Sequence, residues 1–184
     1  MSYFEFIMVM FSIIVGLGIA DLLNNIARQL RAGKDCEGYW LQSLVVVAVL
    51  LGLLQQWWES WGLQSVEHWG FLFVLMFLAG PIGLYLVAHL LFPRRMSGGD
   101  LEQHYFSVFR QIWVIAGLVV IVATLFRPVA FGDALLVADN MSAAVLLAFF
   151  AVLASSSRKV VHAILVPLIL ISLFMDIVFF SLFI

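Results

Sequence analysis

An aspartate, Asp176, lies in the apolar stretch ILVPLILISLFMDIVFFSLFI at the C-terminal end of the sequence. Counting back from the last residue at about 1.5 Å per residue puts it about 12 Å inside a membrane-spanning helix. An ionised aspartate at that depth costs about 2.5–3.5 kcal/mol on insertion scales. The side chain is therefore expected to face other helices. It would be a proton- or cation-binding point there, or a hydrogen-bonding link between helices.

Other polar side chains accompany this aspartate. Ser172 lies one turn before it, and His162 lies about 40° away around the same helix, so the three predict a broken polar track. In QQWWESWG, Gln55 and Glu59 are also one turn apart. They are expected to face the interior near its outer mouth, with simple solvation of Glu59 as an equal alternative.

Small residues and prolines mark candidate packing sites. In the first apolar stretch, Ser12, Gly16 and Ala20 recur every four residues on one stripe with Glu5. Such a stripe lets a neighbouring helix approach closely. In the sequence AGPIG, Pro81 predicts a helix kink. Its neighbours Gly80 and Gly83 permit close packing, or an opening where backbone carbonyls meet a solute.

Cofactor chemistry has little support in the sequence. His89 and His162 fall at one depth on different helices, so ligation of a tetrapyrrole is an alternative, and otherwise no cofactor or metal is predicted. The single cysteine, Cys36, excludes an internal disulfide and a CxxC site. No catalytic motif is present, so an enzyme is not predicted, and nothing indicates nucleic-acid binding.

The elements that hold these residues are membrane helices. The chain of 184 residues is 65% hydrophobic and 11% charged, whereas soluble domains carry about 25% charged residues. Spans of about 20 residues cross a bilayer. The sequence predicts an all-α, single-domain transmembrane bundle (1–184) of six spans, which cover residues 3–25, 40–63, 69–92, 107–127, 135–156 and 161–184.

Charge sets the predicted orientation. Of nine basic residues, only Arg127 falls on the side opposite to the other eight, which are Arg28, Arg31, Lys34, Arg94, Arg95, Arg110, Arg158 and Lys159. By the positive-inside rule, both termini are then non-cytoplasmic. Compact loops favour a bacterial inner membrane, and the acidic start of the chain does not resemble a signal peptide.

Three function classes remain open at this point, and the third, a membrane-embedded enzyme or redox cytochrome, is supported only by His89, His162 and the carboxylates; the other two are nearly equal. The outer mouth would be acidic, which favours a channel or transporter for protons or cations that uses Asp176; the acidic residues on that side are Glu5, Glu59, Glu67, Asp133 and Asp139. The alternative is a non-catalytic subunit or assembly factor of a larger membrane complex. The expected partners are the lipid bilayer and either further copies of the chain or other membrane subunits.

Overall fold

A computed structural model describes residues 3–33, 36–64, 66, 69–94, 99–131 and 138–183 of the chain. The fold is all-α and has six helices in these ranges: α1 Tyr3–Ala32, α2 Trp40–Glu59, α3 Phe71–Leu90, α4 Leu101–Phe131, α5 Ala138–Ser155 and α6 Lys159–Phe183. A 3₁₀ turn, Ser60–Leu63, extends α2. Two short segments, β1 Cys36–Glu37 and β2 Gly99–Asp100, pair in parallel ahead of α2 and α4.

Local signals fix two helix ends beyond the predicted spans. α1 continues to Ala32, where Gly33 follows in the left-handed conformation at φ 54°, which only glycine adopts without strain. α4 starts at Leu101 because Asp100 Oδ1 accepts the amides of Glu102 and Gln103 at 2.8 and 3.2 Å and caps the helix. Both helices are therefore longer than their predicted spans, because a polar turn continues each one.

Five helical segments are long and apolar enough to cross a membrane: Tyr3–Ala32, Trp40–Leu63, Phe71–Leu90, Leu101–Phe126 and Lys159–Val178. They coincide with five of the six predicted spans. The span predicted at 135–156 corresponds to α5, which has 18 residues. Its described apolar part, Ser142–Ser155, is shorter than the other five segments. The structure thus agrees with a multi-pass membrane protein, and a sixth crossing stays a prediction.

Consecutive helices along the chain run in opposite directions, so the packed neighbours α1 and α3 are parallel, as are α2 and α6. The helices pack in the order α1, α3, α4, α5, α6, α2 and back to α1, and α2 also contacts α3. At one end, the Phe4 and Trp69 rings lie 6.2 Å apart, which joins the starts of α1 and α3. At the other end, the Tyr39 and Tyr105 rings lie 5.7 Å apart, which joins the starts of α2 and α4.

The two ends differ in charge. The end that holds the starts of α2, α4 and α6 is called the basic end, and it carries Arg28, Arg31, Arg94, Arg110, Arg158 and Lys159. The opposite end is called the acidic end and carries Glu5, Glu59 and Asp176. Four charged residues of the sequence analysis, Lys34, Glu67, Arg95 and Asp133, lie outside the described residues, and for Arg127 and Asp139 only the backbone is described.

Candidate functional site

Asp176 lies on α6 near the acidic end, with its side chain exposed on the lateral surface of the bundle. α6 packs against α2, and the Asp176 carboxylate is near enough to Glu59 for the two negative charges to interact. Across the described part of the chain, Asp176 has no hydrogen bond and no ion pair. This corrects the expectation that it faces the interior: the carboxylate lies at the open edge of the α2–α6 contact.

Glu59 and Gln55 on α2 complete this surface. Gln55 Nε2 donates a hydrogen bond to Glu59 Oε1 at 2.8 Å, as expected for side chains one turn apart. Glu59 is exposed and Gln55 is half-buried, so they lie at the edge of the bundle and not in its interior. The surface formed by Gln55, Glu59 and Asp176 is called the carboxylate face.

The polar track predicted along α6 is not one surface. His162 has no exposed surface, Ser172 is half-buried and Asp176 is exposed. At 1.5 Å per residue, His162 and Asp176 are about 21 Å apart along the helix. At the basic end α6 is covered by α4 and by the α5–α6 turn, whereas among the described side chains the partner of Asp176 is Glu59 on α2. The same helix side is therefore buried at one end and open at the other.

His162 joins three elements at the basic end through a buried hydrogen-bond chain. Its Nε2 lies 2.8 Å from the Ser156 carbonyl oxygen, in the α5–α6 turn. Its Nδ1 lies 2.8 Å from the Tyr105 hydroxyl on α4. Trp113 Nε1 donates to the same hydroxyl at 3.3 Å. The group of His162, Tyr105, Trp113 and the Ser156 carbonyl is called the histidine chain.

The geometry of the histidine chain determines where its hydrogens are. A carbonyl oxygen only accepts, so Nε2 carries a hydrogen and donates it to Ser156. Nδ1 of the neutral ring then accepts from the Tyr105 hydroxyl, whose oxygen accepts from Trp113. Every polar atom of the chain has a partner in this arrangement. A doubly protonated ring would deprive the Tyr105 hydroxyl of its acceptor.

Three side chains from three helices bond the carbonyls at the end of α3. Gln42 Nε2 donates to the Leu91 carbonyl at 2.7 Å, and Arg28 Nη2 donates to the Arg94 carbonyl at 2.6 Å. His104 Nε2 lies 3.0 Å from the Leu90 carbonyl. The last carbonyls of a helix lack intrahelical donors, and α2 and α4 supply partners for those of Leu91 and Leu90. α1 binds the segment that follows through the Arg94 carbonyl, so the three helices together close the basic end.

Tyr39 lies beside this network, just before α2. Its ring is buried and packs against Tyr105 and Phe106, with centroids 5.7 and 6.1 Å apart. Burial, and secondly the negative charge of Glu102, raise the pKa of the Tyr39 phenol. The phenol therefore remains protonated and neutral at physiological pH, and its ring contributes apolar packing against the two neighbouring rings.

Gly80 and Gly83, which flank Pro81, lie where α3 packs closely against other helices. Close packing was one of the two alternatives that the sequence left open for them. A Cβ at Gly83 would overlap Val119 Cγ2 of α4, and one at Gly80 would lie 2.8 Å from Gln56 Nε2 of α2. Gln56 Oε1 is buried there without a hydrogen-bond partner. α3 continues through Pro81 from Phe71 to Leu90, and the kink itself stays a prediction.

The stripe of small residues on α1 lies on the outer surface. Ser12, Gly16 and Ala20 are exposed, as is Glu5, and a Cβ at Gly16 would meet no atom within 4 Å. Gly18 is the glycine of α1 that approaches α2, where a Cβ would lie 3.0 Å from Leu53 Cδ1. No described helix packs on the stripe, so its use in helix packing stays a prediction for contact with another chain.

The two histidines suggested for a tetrapyrrole have different environments. The His89 side chain is 65% exposed, and its Nδ1 lies 3.3 Å from Asp21 Oδ2. His162 uses both ring nitrogens in the histidine chain, so it would have to give up one bond to ligate a metal. In the described residues, no three His, Cys, Asp or Glu side chains are grouped as a metal site.

The sequence analysis missed the partners that bury polar groups at the basic end, namely Tyr105, Trp113, Gln42 and His104. The available signal was position: each lies within about three turns of the basic end of α2 or α4. Comparison of the chain with family models, with curated proteins and with solved structures gave no match. Any functional conclusion therefore depends on the geometry alone.

Proposed function

We propose that this chain is a non-catalytic subunit of a membrane assembly, and that the carboxylate face contacts the rest of that assembly. The observation that supports this is the exposed Asp176 on an otherwise apolar helix. Apolar residues flank it on both sides along α6. A carboxylate left in hydrocarbon costs about 2.5–3.5 kcal/mol, and an adjoining subunit removes that cost if it hydrogen-bonds or pairs with the carboxylate.

The bundle interior supports a subunit more than a self-contained channel. In the described residues the fully buried polar side chains are Asn25, Gln42, Ser60 and His162. Three of them lie near the basic end, and Ser60 lies at the other end. The core between them is apolar, with Phe11, Leu53 and Leu78 less than a tenth exposed. A solute that crossed this core would lose its hydration without replacement.

The proposal includes a location. The basic end faces the cytoplasm of a bacterial cell under the positive-inside rule, and the chain resides in the inner membrane. Exposed tryptophans near the acidic end, Trp57, Trp58 and Trp61, then lie at the outer headgroup level. The carboxylate face opens sideways at and just below that level, because Glu59 lies between Trp58 and Trp61 and Gln55 lies one turn deeper.

A photo-crosslinking experiment in native membranes tests the subunit proposal. A benzophenone amino acid at Met175, beside Asp176, is expected to give a discrete adduct. The matched position is Leu75 on α3, because the two side chains are similarly exposed, at 59% and 51%. Leu75 is expected to give no discrete adduct, because α3 does not contribute to the carboxylate face.

Dependence on the carboxylate completes this test. Asp176→Asn is expected to reduce the Met175 adduct strongly, because an amide cannot form an ion pair. Equal labelling at Met175 and Leu75, or lipid adducts alone at both, would show that the face points at acyl chains and would refute the proposal.

The second candidate is passage of protons or cations at the carboxylate face, with the adjoining subunit supplying the other wall. The interaction of Glu59 with Asp176 favours it, because two neighbouring carboxylates tend to share one proton or cation. In proteoliposomes, Asp176→Asn should then abolish the flux, while Asp21→Asn at the basic end should leave it unchanged. Flux that is absent from the unmodified protein, or that survives Asp176→Asn, counts against transport by this chain.

A further inference from the structure

We propose that the adjoining subunit at the carboxylate face contributes a transmembrane helix with a lysine or arginine in its half nearest the acidic end. This inference rests on the proposed function and identifies the chemistry of the partner. It combines three features of the chain: the exposure of Asp176, the distribution of basic residues, and the open apolar surface around the carboxylate.

Among the side chains that the structure describes, no cation lies beside Asp176. Every basic side chain that the structure describes lies at the basic end, and two of them are already engaged there. Arg28 bonds the Arg94 carbonyl, and Lys159 pairs with Glu102. Gln55, the neighbouring donor on α2, gives its hydrogen bond to Glu59. On this proposal, the compensating positive charge for Asp176 comes from another molecule.

A second copy of the chain does not supply that charge at the same face. Copies insert in the same direction, and a two-fold contact brings identical surfaces together. Two carboxylate faces would then place four carboxylates side by side at one depth, which is repulsive in a low-dielectric environment. The charge complement of this face is a different helix with a basic side chain.

The surface around Asp176 has apolar side chains on which a helix can pack. Met175 is 59% exposed on α6, and Trp58 is 62% exposed on α2. These side chains provide apolar contact on either side of the carboxylates. An arginine guanidinium presents several donors in one plane, so a single arginine could bond Asp176 and Glu59 together. A lysine would pair with Asp176 alone.

A reconstitution experiment with synthetic helices tests this inference. The full-length protein is labelled at its single cysteine, Cys36, and placed in phosphatidylcholine vesicles. The probes are polyleucine helices with one lysine, or with none, two-thirds of the way across. Energy transfer should show the lysine helix binding about tenfold more tightly than the leucine helix, which is the ratio for one good polar contact. Asp176→Asn should remove this preference, and Asp21→Asn should keep it.

The failures of the two proposals are distinguishable. Equal binding of the two helices, or a lysine preference that survives Asp176→Asn, overturns the inference about the basic helix. If the Met175 adduct still forms in native membranes in that case, the subunit proposal stands. A Met175 adduct with the mass of two copies of the chain would identify self-association and would likewise overturn the basic-helix inference. If the unmodified protein gives no protein adduct at Met175 in native membranes, the proposed function itself is overturned.

Discussion

Replacing His162 with leucine should lower the free energy of unfolding by about 2–4 kcal/mol. Leucine keeps most of the buried volume but removes both hydrogen bonds of the ring. The Ser156 carbonyl then loses its donor, and the Tyr105 hydroxyl loses its acceptor. The Tyr105 hydroxyl is buried and the Ser156 carbonyl is partly buried, and an unpaired buried polar atom costs more than its bond contributed. Unfolding in mixed detergent micelles, followed by tryptophan fluorescence, measures the change.

Two hydroxyl deletions on α4 test whether the loss at His162 comes from the histidine chain. Tyr105→Phe keeps the ring but leaves His162 Nδ1 and Trp113 Nε1 without partners, so it should cost about 1–3 kcal/mol. Ser107→Ala removes an exposed hydroxyl that bonds only the His104 carbonyl of its own helix, and it should cost less than about 0.5 kcal/mol. Equal stability of the Tyr105 and Ser107 variants would contradict the role of the histidine chain in holding α4 and α6 together.

Gly83→Ala should destabilise the protein by about 1–3 kcal/mol or more, because it adds a methyl group where α3 and α4 already touch. The new Cβ would overlap Val119 Cγ2, a γ-carbon of a stiff, β-branched side chain. The helices must therefore separate, which loosens the packing of Pro81 and its neighbours. The same unfolding measurement applies, and we expect the loss to appear with no change in the proposed lateral contact.

A matched glycine and a compensating change test this explanation. Gly16→Ala also lies within a helix, but its Cβ meets no atom within 4 Å, so it should be neutral or stabilising by up to about 1 kcal/mol. Val119→Ala removes the overlapping methyl groups, and the double variant should recover most of the loss caused by Gly83→Ala. Additive losses in the double variant would show that the two residues do not share one packing site.

The helices were predictable because hydropathy alone defines them in a membrane protein. Five predicted spans correspond to long apolar helices. Two of these spans were too short, because a polar turn extends α1 to Ala32 and starts α4 at Leu101. The α5 region was harder to predict, because its apolar part is short and polar residues precede it. The close packing at Gly80 and Gly83 followed from the small size of glycine, although the residues opposite, Gln56 and Val119, could not be inferred.

The direction in which Asp176 points could not be read from α6 alone. Helical periodicity places residues on a common side of one helix, but burial depends on whether a neighbouring helix reaches that depth. His162 meets α4 and the α5–α6 turn, whereas in the described residues Asp176 interacts with Glu59 at the edge of α2. For the same reason the stripe of Ser12, Gly16 and Ala20 resembled an internal packing site and proved to be exposed. Tertiary neighbours decide burial in both cases.

The turn between α5 and α6 has a consequence for biogenesis. Only Ser156, Ser157 and Arg158 separate the two helices, and the His162 bond to the Ser156 carbonyl ties the turn to α6. The described apolar part of α5, Ser142–Ser155, is shorter than the about 20 residues that span a bilayer. We therefore expect the insertion machinery to release α5 and α6 into lipid together as a hairpin, with the strongly apolar α6 drawing its weaker neighbour across.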